Sequence, residues 1–117
     1  MIEKGKIMSE TVIEGTIKYI EHLKKDFENW GKVSLDNNTQ MIKEFADGLG
    51  FLEGHKYIKV TKDNHGSVHS FIVNTDKDKK FKKGDILKAA SWKAPARNFA
   101  RGNVLRDDFI KIRWVGA

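Results

Sequence analysis

A chain of 117 residues with 39% hydrophobic and 32% charged side chains is long enough for one modest core, too short for two, and too apolar for wholesale disorder. It has no cysteine, which excludes disulfides, thiolate zinc sites and cysteine nucleophiles and fits a reducing compartment. The net charge of +6 is unevenly spread: from Lys77 onward twelve Lys and Arg face four Asp, a surplus of +8 that leaves −2 for the rest of the chain.

No apolar run approaches the roughly 20 residues that a membrane span needs, and the opening MIEKGKIMSE lacks the apolar centre of a secretion signal. The expectation is therefore a cytoplasmic protein without a membrane partner. Its expected organisation is a single domain over 1–117, with a helical part at 1–54 and an antiparallel β part at 55–117 that carries a basic connection at 91–108.

From Ser9 the pattern turns helical. Ile13, Ile17, Ile20, Phe27 and Trp30 recur at helical spacing, with Val12, Tyr19 and Leu23 widening the stripe, which predicts an amphipathic helix from Glu10 to Asn29. Ser9 is the expected N-cap and Gly31 the expected stop, and Gly15 is a weak point inside the helix, tolerable if another backbone packs there. LDNN (35–38) reads as a turn, and a second helix follows from Thr39 to Asp47 with Met41, Ile42 and Phe45 facing inward and Gly48 ending it.

Strands come after GFLEG. KYIKVTK (56–62) and SVHSFIV (67–73), joined by the turn residues DNHG, predict a hairpin, with His69, Phe71 and Val73 expected on one face and Val68 and Ile72 on the other. Gly84 and Asp85 lead into a strand from Ile86 to Ala90. FIKIRWV (109–115) alternates Ile110, Ile112 and Trp114 with Lys111 and Arg113 and predicts the last strand. The class is α+β: two N-terminal helices packed on an antiparallel sheet, or on a small β-barrel, of four to five strands. Ile17 and Ile112 are expected in the core.

Between the last two expected strands lies SWKAPARNFARGN (91–103), which holds the only proline. Pro95 opposes a continued ladder, and ARNFARGN fits a short helical turn with Arg97 and Arg101 on one side and Phe99 buried. Arginines suit phosphate because their planar fork donates two parallel hydrogen bonds. Nucleic acid requires such cations together with an aromatic face for unpaired bases, so the expected nucleic-acid or phosphate-binding residues are Trp92, Lys93, Arg97, Arg101 and Arg106. The lysine run from Lys77 to Lys83 is expected to steer a polyanion diffusely.

No phosphate-binding loop, Rossmann fingerprint or nucleophile elbow is present, so the expectation is a non-enzyme. His55, His65 and His69 lack ligand-like spacing, and neither a metal nor another cofactor is expected. His69 is expected to be hydrogen-bonded and half-buried.

The stretch KFKKGDILKAASWKAPARNFARGNV, with the trailing FIKIRWVGA, resembles the C-terminal part of small uncharacterised accessory proteins of large tailed bacteriophages. The likeness covers the last third of the chain. It implies a phage-type accessory protein acting in the host cytoplasm and little chemistry, since such proteins commonly bind DNA, bind a host protein or neutralise a defence system; the basic C-terminal half makes nucleic acid the favoured partner. The alternative is a non-enzymatic inhibitor of a host or defence protein, or a nucleotide-signal-binding protein. Monomer and homodimer remain equally open.

Overall fold

The computed structural model describes residues 11–34 and 39–117. The expected Ser9 cap and the LDNN turn lie outside the described residues. Helix α1 spans Val12–Ser34. Thr11 and Glu14 fix its start: the Thr11 hydroxyl accepts the Glu14 amide at 3.0 Å and the Glu14 carboxylate accepts the Thr11 amide at 3.2 Å. This reciprocal pair satisfies two amides that the first turn leaves without helical partners. The helix runs past Gly31. A helical glycine costs only about 1 kcal/mol, and contacts among Phe27, Trp30 and Trp114 hold the last turns.

Helix α2 spans Thr39–Gly48 and lies against α1 through Phe45, whose ring stacks on Phe27 at 4.2 Å. Met41, expected inside, is 45% exposed.

Five antiparallel strands follow in simple meander order: β1 (Gly50–Glu53), β2 (Tyr57–Lys62), β3 (Ser67–Val73), β4 (Asp85–Lys88) and β5 (Gly102–Asn103). The sheet is open, with β1 at one edge and β5 at the other, so the open antiparallel sheet holds over the barrel. The α+β class with helices N-terminal to the sheet is as expected, although two strands arise where none was read. β1 precedes residue 55, and β5 sits inside the 91–108 connection.

Both sheet faces are buried. On one, Tyr19, Ile20 and Leu23 of α1 pack on Ile58, Val60, Ile72 and Ile86. On the other, Phe71, Val73 and Leu87 lie under Phe81, with Tyr57, Ala89 and Ala100 around them. Each such side chain contributes about 1.5–3 kcal/mol when fully removed from water, so the second cluster is a real part of the core. The segments that cover it are 76–83 and 89–101.

His69 does not share a face with Phe71. Val60 pairs with Ser70 but Thr61 pairs with Val68, which leaves His69 as the extra residue of a bulge on β3. A bulge re-aims the side chain it carries. His69 accordingly turns to the α1 side, 3% exposed, where it meets Tyr19.

The expected last strand does not form. Residues 109–115 instead wrap α1 in turns, held at three points spaced along one helix face. The Phe109 ring packs on Tyr19 and His22, His22 Nε2 donates to the Ile112 carbonyl at 2.7 Å, and Asp26 accepts the Arg113 Nε at 2.9 Å and the Trp114 amide at 2.9 Å. Ile112 is buried as expected, whereas Ile110 is 78% exposed because the segment lacks strand alternation. Ile17, expected in the core, is 49% exposed, one residue beyond the face that carries Thr16, Tyr19 and Leu23.

Candidate polyanion-binding surface

Asp78 organises the surface. Its Oδ1 accepts the Lys80 amide at 2.8 Å and the Phe81 amide at 2.9 Å, which curls 78–81 and drops the Phe81 ring onto the sheet. Arg97, arriving from the far connection, donates to both carboxylate oxygens at 2.9 and 3.0 Å and to the Tyr57 hydroxyl at 2.7 Å. Its guanidinium lies 5.0 Å from the Phe81 ring centre. The Arg97 bonds, then the two amides, hold the Asp78 carboxyl far below the usual carboxylate range, and Asp78 in turn pushes the Arg97 guanidinium further up. Lys80 Nζ closes the assembly by donating to the Arg97 carbonyl at 2.6 Å.

Beside this clasp opens a cleft of about 480 Å³, lined by His55, Lys56, Thr75, Lys77, Asp78, Lys79 and Arg97. Because Arg97 already offsets Asp78, the charges of Lys56, Lys77 and Lys79 are in surplus there. The β1–β2 turn presents His55 and Lys56, and it is fixed by the Asn74 amide donating to the Lys56 carbonyl at 2.8 Å and Asn74 Nδ2 donating to the Gly54 carbonyl at 2.9 Å. A second depression of about 370 Å³ shares His55 and Lys56 and extends along β2 to Tyr57, Lys59 and Lys93, with Glu53 its one carboxylate. Together the two depressions, which share His55 and Lys56, make up the basic channel.

Five residues were expected at the site, and the structure distributes them. Lys93 lines the second depression, and Trp92, 40% exposed, stands beside it with Lys59 Nζ 4.0 Å over its ring. Arg97 borders the cleft, but its guanidinium is engaged by Asp78 and Tyr57. Arg101 stacks 4.0 Å over Phe99, which is 56% exposed rather than buried. The helical turn expected over ARNFARGN is absent, so Arg97 and Arg101 are not paired through one; the segment is extended, with the Ala96 amide donating to Lys88 and the Arg101 amide to Ile86. Pro95 makes an isolated bridge with Ala89. Arg106 lies apart, exposed in the single 3-10 turn Val104–Arg106 that packs on α1.

Lys56, Lys59, His55 and Thr75 were not foreseen. The alternation of β2 holds a signal for one of them, since Lys59 falls opposite Ile58 and Val60 and pairs across with Phe71. Lys77 and Lys79, expected to act only at long range, line the cleft itself. Of the other histidines, His65 bonds Thr61 at 2.7 Å and His69 lies inside the core.

Residues 3–113 match a family of unknown function, DUF7717. The chain belongs to that family. The DUF7717 match takes in both helices, all five strands, the clasp and the basic channel. No curated protein and no solved structure matches the chain. Among the described residues, no helix is long and apolar enough to cross a membrane.

Proposed function

We propose that the protein is a non-enzymatic binding protein for a polyanion, nucleic acid in the first place, and that the channel beside the Arg97–Asp78 clasp is its contact surface. The phage-type accessory role implied by the C-terminal resemblance belongs to the same proposal. The observation that carries it is the charge balance of the cleft. Three lysines line the cleft where its one carboxylate is already neutralised, between the β1–β2 turn and the curled 78–81 segment. Such a concentration of like charge raises its own cost unless an anion relieves it. Phosphates do so by displacing condensed counterions, which gives a linear fall of log affinity with log salt.

The test is a titration of labelled single-stranded DNA, duplex DNA and RNA by fluorescence anisotropy from about 50 to about 200 mM salt, with the variant carrying Lys77→Gln and Lys79→Gln alongside. The expected result is binding that persists at physiological salt, with the salt slope of the double variant shallower by about 2, one for each lost phosphate contact. Absence of binding by the unmodified protein, or an unchanged slope in the variant, would overturn the proposal. A nucleotide-signal-binding role is the second reading, favoured by one feature: the cleft volume of about 480 Å³ falls in the range of small-ligand sites. Displacement of bound oligonucleotide by mononucleotides or cyclic dinucleotides at low concentration would select it.

A further inference from the structure

We infer that the polyanion is a single strand of nucleic acid, its bases stacked on Trp92 and Phe99 and its backbone lying along the lysine channel. This rests on the polyanion reading above and narrows it. Among the described residues, the large exposed hydrophobic side chains are Ile17, Val33, Met41, Leu52, Trp92, Phe99, Ile110 and Val115. Only two of these are aromatic. Both fall in the 91–103 segment, and both carry a cation 4.0 Å from the ring centre, Lys59 over Trp92 and Arg101 over Phe99; Lys59 and Lys93 tie Trp92 to the second depression, and Phe99 follows two residues after Arg97 at the cleft.

The covering of the second sheet face does not account for them. Phe81, 6% exposed, performs that task together with Ala89 and Ala100, while Trp92 and Phe99 retain 40% and 56% of their surface in water. Exposed rings cost free energy unless something apolar comes to lie on them. A stacked cation is a partial remedy, and it has a second effect: it sets a positive charge beside an aromatic face, the pairing that one nucleotide presents as base and phosphate. In a duplex the base faces are covered by their neighbours, and exposing one costs a few kcal/mol. Unpaired bases offer those faces freely. Two cation–aromatic units on the segment that supplies Lys93 and Arg97 to the lysine channel therefore select single strands.

The experiment uses the full chain and a labelled 12-nucleotide strand, free or annealed to its complement, near 150 mM salt. Trp92→Leu and Phe99→Leu keep apolar bulk and remove the aromatic face. The expected result is single-strand binding at least tenfold tighter than duplex binding, and a loss of about 5- to 150-fold in single-strand affinity for either variant, the range for one stacked base. Duplex affinity should change less than twofold. Trp fluorescence gives a separate readout: Trp30 and Trp114 sit in the α1–α2 aromatic cluster, so quenching by the strand should vanish in the Trp92→Leu variant. Duplex binding as tight as single-strand binding, or full single-strand affinity in both variants, would overturn this inference and leave the polyanion reading standing. No binding to either form would remove both.

Discussion

Nε2 of His69 faces the Arg113 carbonyl at 2.9 Å, and a carbonyl only accepts, so that nitrogen carries the proton and Nδ1 presents a lone pair. The Ser70 hydroxyl, 2.9 Å from Nδ1, then donates to it, and the Tyr19 hydroxyl, 2.9 Å from Ser70 Oγ, donates in turn to the serine. The chain is satisfied in one direction and requires a neutral imidazole. Burial pushes the His69 pKa down from 6.5 to about 4, with Lys62 and His22 nearby opposing a further positive charge and the Arg113 carbonyl only partly offsetting this. Tyr19, also buried, is held well above its usual range and stays protonated. As pH falls below 6.5 the unfolded chain takes up a proton at His69 that the folded chain refuses until about 4, so stability declines across that window. The full loss is about 3 kcal/mol, from about 1.4 kcal/mol for each pH unit between the two values. Urea melts at pH 7 and pH 4.5 should therefore show a steep loss in the unmodified protein and a markedly flatter profile in His69→Gln, which starts less stable but has nothing to protonate there. Equal slopes in both proteins would place the acid sensitivity elsewhere.

At the scale of elements, α1 docks where Gly15 lets the backbone of Val104 approach. A Cβ at residue 15 would overlap the Val104 carbonyl oxygen, and that carbonyl belongs to the turn following β5. In an isolated helix Gly15→Ala would gain up to about 1 kcal/mol. Here the overlap with rigid backbone costs about 1–3 kcal/mol and outweighs the gain. Thermal melting of Gly15→Ala should give a Tm lower by about 5 °C, and a raised Tm would mean that α1 can slide on the sheet. Both helices and the β2–β3 hairpin were legible in the sequence, because long periodic runs specify their own faces, whereas Gly15 read only as a weak point that a packed backbone would make tolerable. The short elements were not. β1 has four residues and β5 two, too few for any alternation to accumulate. FIKIRWV misleads because alternate apolar residues also occur in a run of turns whose Ile112 carbonyl is taken by His22, Arg113 carbonyl by His69 and Trp114 amide by Asp26 rather than by a neighbouring strand. His69 misleads because one bulge residue shifts the face of everything before it. The basic character of the site was visible in composition, but the clasp that shapes it joins Arg97 to Asp78, and a single chain carries no mark of which carboxylate an arginine will find.

For the molecule as a whole, the competition is between repulsion spread over the basic surface and attraction confined to a few pairs. The described chain measures 44 × 36 × 21 Å. At 0.01 M salt the screening length is about 30 Å, so cations across most of the molecule repel one another; at 0.15 M it is about 8 Å and only neighbours do. Of the attractive contacts, Arg97–Asp78 and Arg113–Asp26 are both 2.9 Å long with carboxylates that are largely shielded, unlike the exposed helix pairs Lys24–Glu21 and Lys43–Asp47, and contacts so close and shielded are screened less. Repulsion therefore fades faster with salt than attraction does. The Tm should rise between 0.01 and 0.15 M NaCl, by about 4 °C if the relief amounts to about 1 kcal/mol. On the proposed function, an oligonucleotide in the channel would supply the same relief locally, with a binding term added to it. At 0.01 M salt a saturating strand should thus raise the Tm well beyond what NaCl achieves, and further NaCl should then lower it as the phosphate contacts weaken. The sign of that second response separates the two origins of stability. If salt raises the Tm with and without the strand alike, the strand is not relieving the lysine surplus, and the basic surface answers only to bulk ions.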